Sequence, residues 1–355
     1  MNNDLKLIKK TTVILETILL IFTGCKGEKQ STDEYSTTHI TAFETNGTLS
    51  AKVKKIPASI AIIRGMFISG DFLFLYKQKD TTFFDLFKLP DCTYLGSSGN
   101  VGNGPNDFIF PDPRSFTPID SGFTVLEAGS HLLKTVKVKE NRLIVTNIEK
   151  TVEKKAATNG FYALSDQKYL SFGNIGSENE FTIFDKKRNE SIEIGKYPTW
   201  VTTNENKPHE KFVAYLKNCV VHPDGEKFVA FYVRFKRFRI FNDSGDMLHD
   251  INVKIEPYSN NIEKEYNDQW SYYVGTPQCV GNYIYALCLN QKGKEKTKNN
   301  MCELQIWSWD GKPIACYKLD KHVSFFSISN KHNTLFAFDT DMENEIYWYE
   351  LPTIK

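Results

Sequence analysis

Apolar and polar residues alternate through most of this chain, and short turn-forming sequences interrupt the alternation. Residues 305–319, QIWSWDGKPIACYKL, are one example, in which two alternating segments flank an Asp-Gly pair that favours a tight hairpin turn. Similar hairpins lie at residues 84–96, 135–145, 182–194 and 238–251, and residues 345–353 contain the first strand of another. The turns recur at intervals of about 42 to 66 residues, which indicates a repeated β unit.

A second pair of alternating segments precedes each hairpin. In residues 218–233, NCVVHPDGEKFVAFYV, a His-Pro-Asp-Gly turn joins the pair, because proline fixes φ and glycine accepts a positive φ. Corresponding pairs lie at residues 66–76, 115–128, 160–173, 278–289 and 324–339. Four strands in each of six units predict an all-β fold, a six-bladed β-propeller.

The two ends of the repeated region complement each other. The last unit lacks its fourth strand, whereas the strand-like residues 39–56 have no unit of their own. We therefore expect the N-terminal segment to become the outer strand of the last blade, which closes the ring and removes an open sheet edge. Helix is predicted only in the long connection 256–276, as one or two turns.

The composition is that of a folded protein without a strong charge bias. The chain has 355 residues, of which 41% are hydrophobic and 14% aromatic, enough to build a core. The 44 Lys and Arg residues nearly balance the 43 Asp and Glu residues, for a net charge of +1. Because no global field attracts the protein to nucleic acid, we expect no nucleic-acid partner.

The N-terminus differs from the rest of the chain. Three lysines precede an apolar stretch, residues 11–22, which is too short to span a bilayer as a helix but has the length of a secretory signal. The Thr-Gly-Cys that follows resembles the lipobox of bacterial lipoproteins, which implies that Cys25 is lipidated. Phe22 and Glu16 depart from that pattern, and an uncleaved anchor is the alternative.

The predicted organisation therefore has three parts. Residues 1–25 form a lipoprotein-type signal segment, residues 26–38 a flexible polar tether, and residues 39–355 the six-bladed propeller. A lipid on Cys25 makes the membrane a partner and places the protein in the cell envelope, as a lipoprotein of the outer membrane or of another membrane that faces the periplasm.

Six further cysteines follow Cys25, and no two of them have the Cys-x-x-Cys spacing of a zinc or haem site. Cys288 and Cys302 fall in successive predicted strands, and an exported protein is able to oxidise such a pair. A disulfide between them and two buried free thiols both stay open at this point.

Two stretches resemble a known family. Residues 102–108, GNGPNDF, follow the first unit, and residues 307–320, WSWDGKPIACYKLD, belong to the fifth. With the blade order, they are similar to the TolB-like six-bladed β-propeller lipoproteins of Bacteroidetes, with Asp107 where that family often has glutamate. The resemblance extends over nearly the whole chain after the signal segment. It implies the fold and export, but no particular reaction.

No sequence motif commits the chain to catalysis. The histidines are scattered without the H-E-x-x-H spacing of a metal site, and no G-x-S-x-G nucleophile motif is present. Gly102 and Gly104 lack the following helix of a phosphate-binding loop, so we interpret them as a tight crossing between blades. In this crossing Phe108 fills a gap and Asp107 accepts backbone N–H bonds. No catalytic residue or metal ligand is predicted, and no cofactor is assigned.

The connections from each outer strand to the next inner strand are the predicted binding surface, because in propellers they converge on one face around the central channel. Aromatic side chains beside charged ones suit a carbohydrate, a peptide or a loop of an envelope protein. The candidate ligand-binding residues are Asn106, Asp107, Arg114, Trp200, His209, Lys211, Trp270, Tyr272, Tyr273 and His322. Packing of a long loop is the alternative for the aromatic cluster 270–273. The basic run 235–239, FKRFR, is interpreted as an alternating strand with solvated cations.

These features predict an exported, lipid-anchored propeller that serves as a binding or scaffolding module in the cell envelope. The alternative is an envelope enzyme, a metal-assisted hydrolase or a lyase that acts on a carbohydrate or lactone at the channel mouth. Such an enzyme needs at least three His, Asp, Glu or Asn side chains that converge within ligand distance.

Overall fold

Most elements of the chain are short β-strands, as the alternating pattern predicts. The computed structural model describes residues 36–57, 62–78, 80–127, 130–150, 160–165, 167–173, 175–204, 207–293, 302–342 and 344–354. Apart from Ser36, these residues belong to the compact unit Thr37–Lys355. The predicted signal segment and residues 26–35 of the predicted tether lie outside the described residues.

Three N-terminal strands precede six sheets. They are β1 (Thr38–Ile40), β2 (Thr45–Leu49) and β3 (Lys52–Lys55). Blade 1 contains β4 (Ile62–Ser69), β5 (Phe72–Gln78), β6 (Thr82–Lys88) and β7 (Thr93–Asn100). Blade 2 contains β8 (Thr117–Ile119), β9 (Gly122–Glu127), β10 (Leu132–Lys139) and β11 (Arg142–Lys150). Blade 3 contains β12 (Phe161–Ala163), β13 (Lys168–Phe172), β14 (Asn179–Asp185) and β15 (Glu190–Lys196).

The remaining blades have the same antiparallel pairing, except that in blade 5 both β20 and β21 pair with β22. Blade 4 contains β16 (Lys217–Val221), β17 (Lys227–Tyr232), β18 (Arg237–Asn242) and β19 (Met247–Val253). Blade 5 contains β20 (Ser271–Tyr273), β21 (Gln278–Val280), β22 (Tyr283–Gln291), β23 (Glu303–Ser308) and β24 (Pro313–Leu319). Blade 6 contains β25 (Phe325–Ser329), β26 (Thr334–Phe338), β27 (Glu345–Glu350) and β3.

The six sheets form a closed ring. Blade 1 contacts blade 2 through β4 and β8, and blade 2 contacts blade 3 through the 3₁₀ turn Pro113–Ser115 before β8 and through β12. Blade 3 contacts blade 4 through β12 and β16. Blade 5 contacts both of its neighbours through β21, which lies against β16 and β25. The ring closes because β25 of blade 6 contacts β4 of blade 1. The prediction of a six-bladed β-propeller is confirmed.

Each blade is buried on both faces because it packs between two neighbours. In β5, Leu73, Phe74, Leu75 and Tyr76 are at most 1% exposed. Leu73 and Leu75 belong to the apolar cluster shared with blade 6, whereas Phe74 and Tyr76 belong to the cluster shared with blade 2. Polar residues in these strands are therefore buried as well, and they need partners within the protein.

The N-terminal strands form a strap around three blades. β3 pairs antiparallel with β27 as the fourth strand of blade 6, so the predicted closure is confirmed. β1 and β2 were not predicted as separate strands: they pair in parallel with β19 of blade 4 and β24 of blade 5. We call residues 38–55 the N-terminal strap. Only one residue in β1 and one in β2, Ile40 and Leu49, are buried, which explains why their alternation is weak in the sequence.

Two short helices lie in the connections around blade 4. α1 (Pro208–Ala214) precedes this blade and α2 (Ile262–Asn267) follows it. α2 lies in the connection where one or two helical turns were predicted, and Asn261 caps it by accepting a hydrogen bond from Lys264 N at 3.0 Å. α1 was not predicted, although proline in its first turn suits a helix start. No helix in the described part of the chain is long and apolar enough to cross a membrane.

The six cysteines of the described residues are free thiols. Cys288 is paired across the sheet with Glu303, and the side chains of such a pair lie on the same face. Cys302 precedes Glu303 in the chain, so its side chain points to the opposite face of blade 5. Cys288 packs in the apolar cluster between blades 4 and 5, and Cys302 in the cluster between blades 5 and 6. Of the two alternatives that the sequence left open, the structure has the buried thiols.

Candidate functional site

The GNGPNDF loop is a tight crossing between blades 1 and 2. Asp107 Oδ2 accepts a hydrogen bond from Gly104 N at 2.9 Å. A Cβ atom on Gly102 or Gly104 would lie 2.6 or 2.5 Å from the same oxygen, so a side chain at either position would displace the Asp107 carboxylate. Phe108 is fully buried among the aromatic residues of the two blades. These contacts support the structural interpretation of the loop, and a ligand role for Asp107 stays a prediction.

Asn106 and Arg114, the other candidates in this connection, also have partners within the protein. Asn106 Oδ1 accepts a hydrogen bond from Val145 N at 3.0 Å, which ties the loop to the outer strand of blade 2. Arg114 Nε lies 3.2 Å from Asp112 Oδ1, and its guanidinium stands 5.9 Å from the ring centre of Phe172.

The aromatic cluster 270–273 contributes mainly to packing. Tyr272 and Tyr273 are 0% and 2% exposed, and their hydroxyls donate to Glu265 Oε1 at 2.5 Å and to Gln305 Oε1 at 2.9 Å. Burial raises the pKa of both phenols. Half-buried Trp270 stacks on Tyr272 with 5.3 Å between ring centroids. We therefore leave the two tyrosines out of the candidate site.

The polar candidates on the remaining connections lie apart along the chain. Lys211 of α1 forms an ion pair with Glu178 at 2.7 Å, and His209 is exposed on the same helix. His322, between blades 5 and 6, lies 3.2 Å from Asp339 through Nδ1. Burial raises the pKa of Asp339, whereas the hydrogen bond with His322 lowers it, and the net result is a lowered pKa.

The interpretation of residues 235–239 as a strand with solvated cations is wrong. Lys236 is 2% exposed and Arg239 is 9% exposed. The end of β17 and the start of β18 lie between the neighbouring blades, so both strand faces are covered. A simple alternation of apolar and charged residues does not distinguish a charge in water from a charge held between two blades.

Glu180 is the centre of a buried ionic network that joins blade 3 to blade 4. Its carboxylate accepts hydrogen bonds from Lys217 Nζ at 2.5 Å and from the Tyr232 hydroxyl at 2.8 Å. Arg239 bridges Glu180 at 3.7 Å and Asp250 at 3.2 Å. Burial and the charge of Glu180 raise the pKa of Tyr232 well above its ordinary value. The network fixes Arg239 and the start of β18.

Trp200, a predicted candidate, supports two arginines of this region. The guanidinium of Arg237 lies 4.7 Å from its ring centroid, and that of Arg239 lies 4.9 Å away. The indole is itself held by edge contacts with Tyr232 at 4.8 Å and Phe235 at 5.4 Å. Trp200 therefore orients arginine side chains within a rigid aromatic cluster.

A cavity of about 140 Å³ opens beside Arg237, and we call it the blade 4 cavity. The turn after β17, the end of β19, the connection around α2 and the N-terminal strap all contribute to its wall. Its lining residues are His39, Lys236, Arg237, Asn252, Val253, Lys254, Tyr258, Ser259, Asn260, Ile262 and Glu265. None of the ten candidates from the sequence lines it, but Trp200 contacts Arg237 and Tyr272 contacts Glu265.

Burial shapes the ionisation of the cavity wall. It lowers the pKa of Arg237 and raises the pKa of Glu265. Burial lowers the pKa of His39, and the positive charges of Lys254 and Arg237 lower it further. The wall thus favours neutral histidine beside fixed cations.

The sequence analysis did not predict the cavity, because the lining residues come from four separate segments of the chain. Lys236 and Arg237 lie at a strand turn, Lys254 follows an outer strand, and His39 lies in the strap. A usable signal was the concentration of three cations in residues 236–239, where the apolar strand β18 begins. Charges at such positions have to find partners or line a polar space.

The described residues contain no group of three or more His, Cys, Asp or Glu side chains that could hold a metal ion. The arrangement that the enzyme alternative requires is thus not found among those four residue types within the described ranges.

Comparison with known proteins agrees with the fold. The chain is similar to a member of the duf4221 family from Bacteroides vulgatus ATCC 8482, with a TM-score of 0.61, 11% identity, and coverage of 85% of this chain and 96% of that chain. It is also similar to the protein named "Putative exported protein" from Bacteroides fragilis NCTC 9343, with a TM-score of 0.50, 10% identity, and coverage of 88% and 99%. At these identities the likeness shows the fold alone. No curated protein matches the chain.

The sequence itself matches the family described as TolB-like 6-blade propeller-like over residues 44–331. This match spans most of the chain, from the N-terminal strap to blade 6. The protein therefore belongs to the TolB-like six-blade propeller family.

Proposed function

We propose that this protein is an exported, lipid-anchored binding module of the cell envelope, and that its ligand binds in the blade 4 cavity. The observation that carries the proposal is a cavity of about 140 Å³ in whose wall two cations are held in place by other parts of the protein. Trp200 supports Arg237, and backbone carbonyls hold Lys236. Preorganised polar groups lose little entropy when a ligand binds, which favours a binding site.

Two further features support export and anchoring. The N-terminal residues have the basic, apolar and Thr-Gly-Cys order of a lipoprotein signal. The Bacteroides fragilis protein of similar fold has a name that includes the word "exported". The enzyme alternative, a hydrolase or lyase at the channel mouth, has no specific observation in its favour within the described residues.

Ligand binding is tested with the full-length protein and a panel of neutral oligosaccharides, small organic acids and phosphates, and short peptides. Asn260→Trp fills the cavity with an apolar ring and leaves its charges unchanged, because Asn260 is an exposed lining residue. Asn282→Trp, in an exposed turn outside the lining, is the matched control. We expect calorimetric binding that Asn260→Trp abolishes and Asn282→Trp preserves. Equal binding by both variants contradicts a ligand site in the cavity.

The anchor is tested by separating membrane and soluble fractions of the source cell. Cys25→Ala removes the lipid acceptor and should release the protein from membranes. Cys279→Ala replaces another thiol that is only partly buried, and it should leave the protein in the membrane fraction. Membrane retention of the Cys25→Ala protein contradicts lipidation and leaves ligand binding untouched.

A further inference from the structure

We propose that the blade 4 cavity binds an oxyanion, the carboxylate or phosphate group of a small molecule. This inference rests on the proposed function, because it names the ligand class of the same cavity. Three observations support the inference. They are the unpaired cationic groups in the wall, the hydrogen bonds that the neighbouring carboxylates already accept, and the size of the cavity.

The cavity has an excess of positive charge. Lys236, Arg237 and Lys254 contribute three cations, and Glu265 is the one carboxylate among the described lining residues. The whole chain is almost neutral, with 44 basic and 43 acidic residues, so the excess is a local property. A concave wall with charges of one sign raises the local concentration of counter-ions.

Arg237 is the strongest indication of an anionic ligand. Its half-buried guanidinium stands 4.7 Å from the ring centroid of Trp200, and within the described chain it forms no hydrogen bond or ion pair. A guanidinium that is partly removed from water without an anionic partner is costly. Its planar set of donors matches the geometry of carboxylate and phosphate groups.

Asp250 and Glu265, the two carboxylates whose charges act on Arg237, have other hydrogen-bond partners, although Asp250 Oδ1 accepts none within the described chain. Asp250 Oδ2 accepts a hydrogen bond from Arg239 at 3.2 Å. Glu265 Oε1 accepts hydrogen bonds from the Tyr272 hydroxyl at 2.5 Å and from Ser259 N at 3.3 Å. Both acids therefore act on Arg237 only at longer range. The donors of Arg237 stay available to a ligand.

The two lysines complete the positive wall. Lys236 Nζ donates to the backbone carbonyls of Ile255 at 2.7 Å and Pro257 at 3.4 Å, which fix the ammonium without cancelling its charge. Lys254 is partly exposed and makes no side-chain ion pair among the described residues. Its ammonium group is thus free to contact an anion that enters the cavity from solvent.

The cavity size sets the scale of the ligand. Its volume of about 140 Å³ is below the roughly 300 Å³ at which pockets for drug-sized molecules begin. Neutral polar residues, among them Asn252, Ser259 and Asn260, supply further hydrogen-bonding groups in the wall. The cavity therefore suits one acidic group with its immediate attachments, and the remainder of a larger ligand would extend into solvent.

Calorimetric titration of the full-length protein at constant ionic strength tests the inference. The ligands are inorganic phosphate, acetate and phenyl phosphate, with chloride as the reference anion. Vesicles of phosphatidylcholine with and without phosphatidylglycerol, added to the Cys25→Ala protein, distinguish a lipid headgroup from a soluble molecule as the source of the phosphate. The charge variants are Arg237→Gln and Lys254→Gln, and Lys318→Gln, exposed on β24 and outside the lining, is the control.

We expect at least one oxyanion to bind, and either cavity variant to weaken it about tenfold or more, since each removes one charge-assisted contact. The control variant should bind as the unaltered protein does. Because Arg237→Gln also removes a contact with Trp200, its thermal unfolding is measured first, and the more exposed Lys254→Gln provides an independent result.

A second measurement uses His39 as an internal reporter. Its pKa is lowered by burial and by Lys254 and Arg237, and Asp250 opposes this effect. A bound anion should raise that pKa, as followed by NMR in the presence of sulfate, which keeps its charge over this pH range. The rise should be absent in Arg237→Gln.

The outcomes separate the inference from the proposed function. Anions that bind all variants equally, or an unchanged His39 titration with saturating sulfate, overturn the oxyanion site. A neutral ligand that Asn260→Trp blocks and Lys254→Gln does not affect also overturns it, but leaves the cavity as a binding site. If no ligand of any class depends on the cavity, both proposals fail.

Discussion

At the scale of single residues, buried charges determine what blade 4 can do. Glu180, fully buried, holds Lys217 of blade 4 at 2.5 Å and thereby joins two blades. The same carboxylate lies 3.7 Å from Arg239, and the guanidinium groups of Arg239 and Arg237 stand 4.9 and 4.7 Å from the ring centroid of Trp200. The ion network thus holds Arg239 beside Trp200, the ring that also supports Arg237 of the cavity wall.

Removing this carboxylate should be costly. Glu180→Ala leaves Lys217 and Arg239 buried without their shared partner, so we expect a loss of about 3–5 kcal/mol in the free energy of unfolding. Urea denaturation measures it. Glu190→Ala removes an exposed carboxylate from the same blade and should change stability by at most about 0.5 kcal/mol. A small effect of Glu180→Ala would show that the network is not what joins blades 3 and 4.

At the scale of elements, the N-terminal strap has two different roles. β3 supplies the missing fourth strand of blade 6, whereas β1 and β2 extend blades 4 and 5, which already have all strands of a blade without them. Ile40, Phe43 and Leu49 add buried apolar contacts along the way. The strap also carries His39 into the wall of the cavity.

Two truncations separate these roles. Removal of residues through Lys55 deletes β3 together with β1 and β2, so the melting temperature should fall steeply, because blade 6 loses its fourth strand and the edge of β27 is exposed. Removal through Ser50 keeps β3 and should lower the melting temperature less. Scanning calorimetry compares the two proteins. An unaltered melting temperature after deletion through Lys55 would refute closure by the strap.

Strand patterns predicted the blades, but not the cavity. Hairpins such as residues 305–319 repeat a period-two pattern with turn residues, and this local information is sufficient for blade order. The strands β1 and β2 were missed, since each buries only one side chain. The cavity depends on tertiary contacts between the strap, blade 4 and the α2 connection, and no local period records such contacts.

The aromatic cluster illustrates the same limit. Residues 270–273 combine apolar and hydrogen-bonding groups, which suit either a ligand platform or an interface between blades. The structure buries Tyr272 and Tyr273 between blades 4 and 5. These residues are buried on both faces because two neighbouring blades cover them. The sequence of one connection does not reveal which blades will pack against it.

At the scale of the whole molecule, apolar clusters hold neighbouring blades together, and they differ in size. The cluster between blades 2 and 3 has four buried side chains among the described residues, Leu126, Phe161, Tyr169 and Phe184. The clusters between blades 4 and 5 and between blades 5 and 6 are much larger. Because apolar burial is the main favourable term, the ring should be weakest between blades 2 and 3.

Hydrogen exchange measures this difference. Amides of β12 and β13 should exchange earlier than those of β22 and β23, since local opening follows the least apolar interface. Mass spectrometry of peptides from each blade reports the order. Early exchange in blades 5 and 6, with blades 2 and 3 protected, would contradict this view of the ring.

The oxyanion site is tested most directly by a crystal structure of the full-length protein grown with tungstate, an oxyanion whose metal atom scatters X-rays strongly. We predict an anomalous peak in the blade 4 cavity, within hydrogen-bond distance of the Arg237 guanidinium and near Lys254. Strong peaks elsewhere on the surface, with none in the cavity, would contradict it.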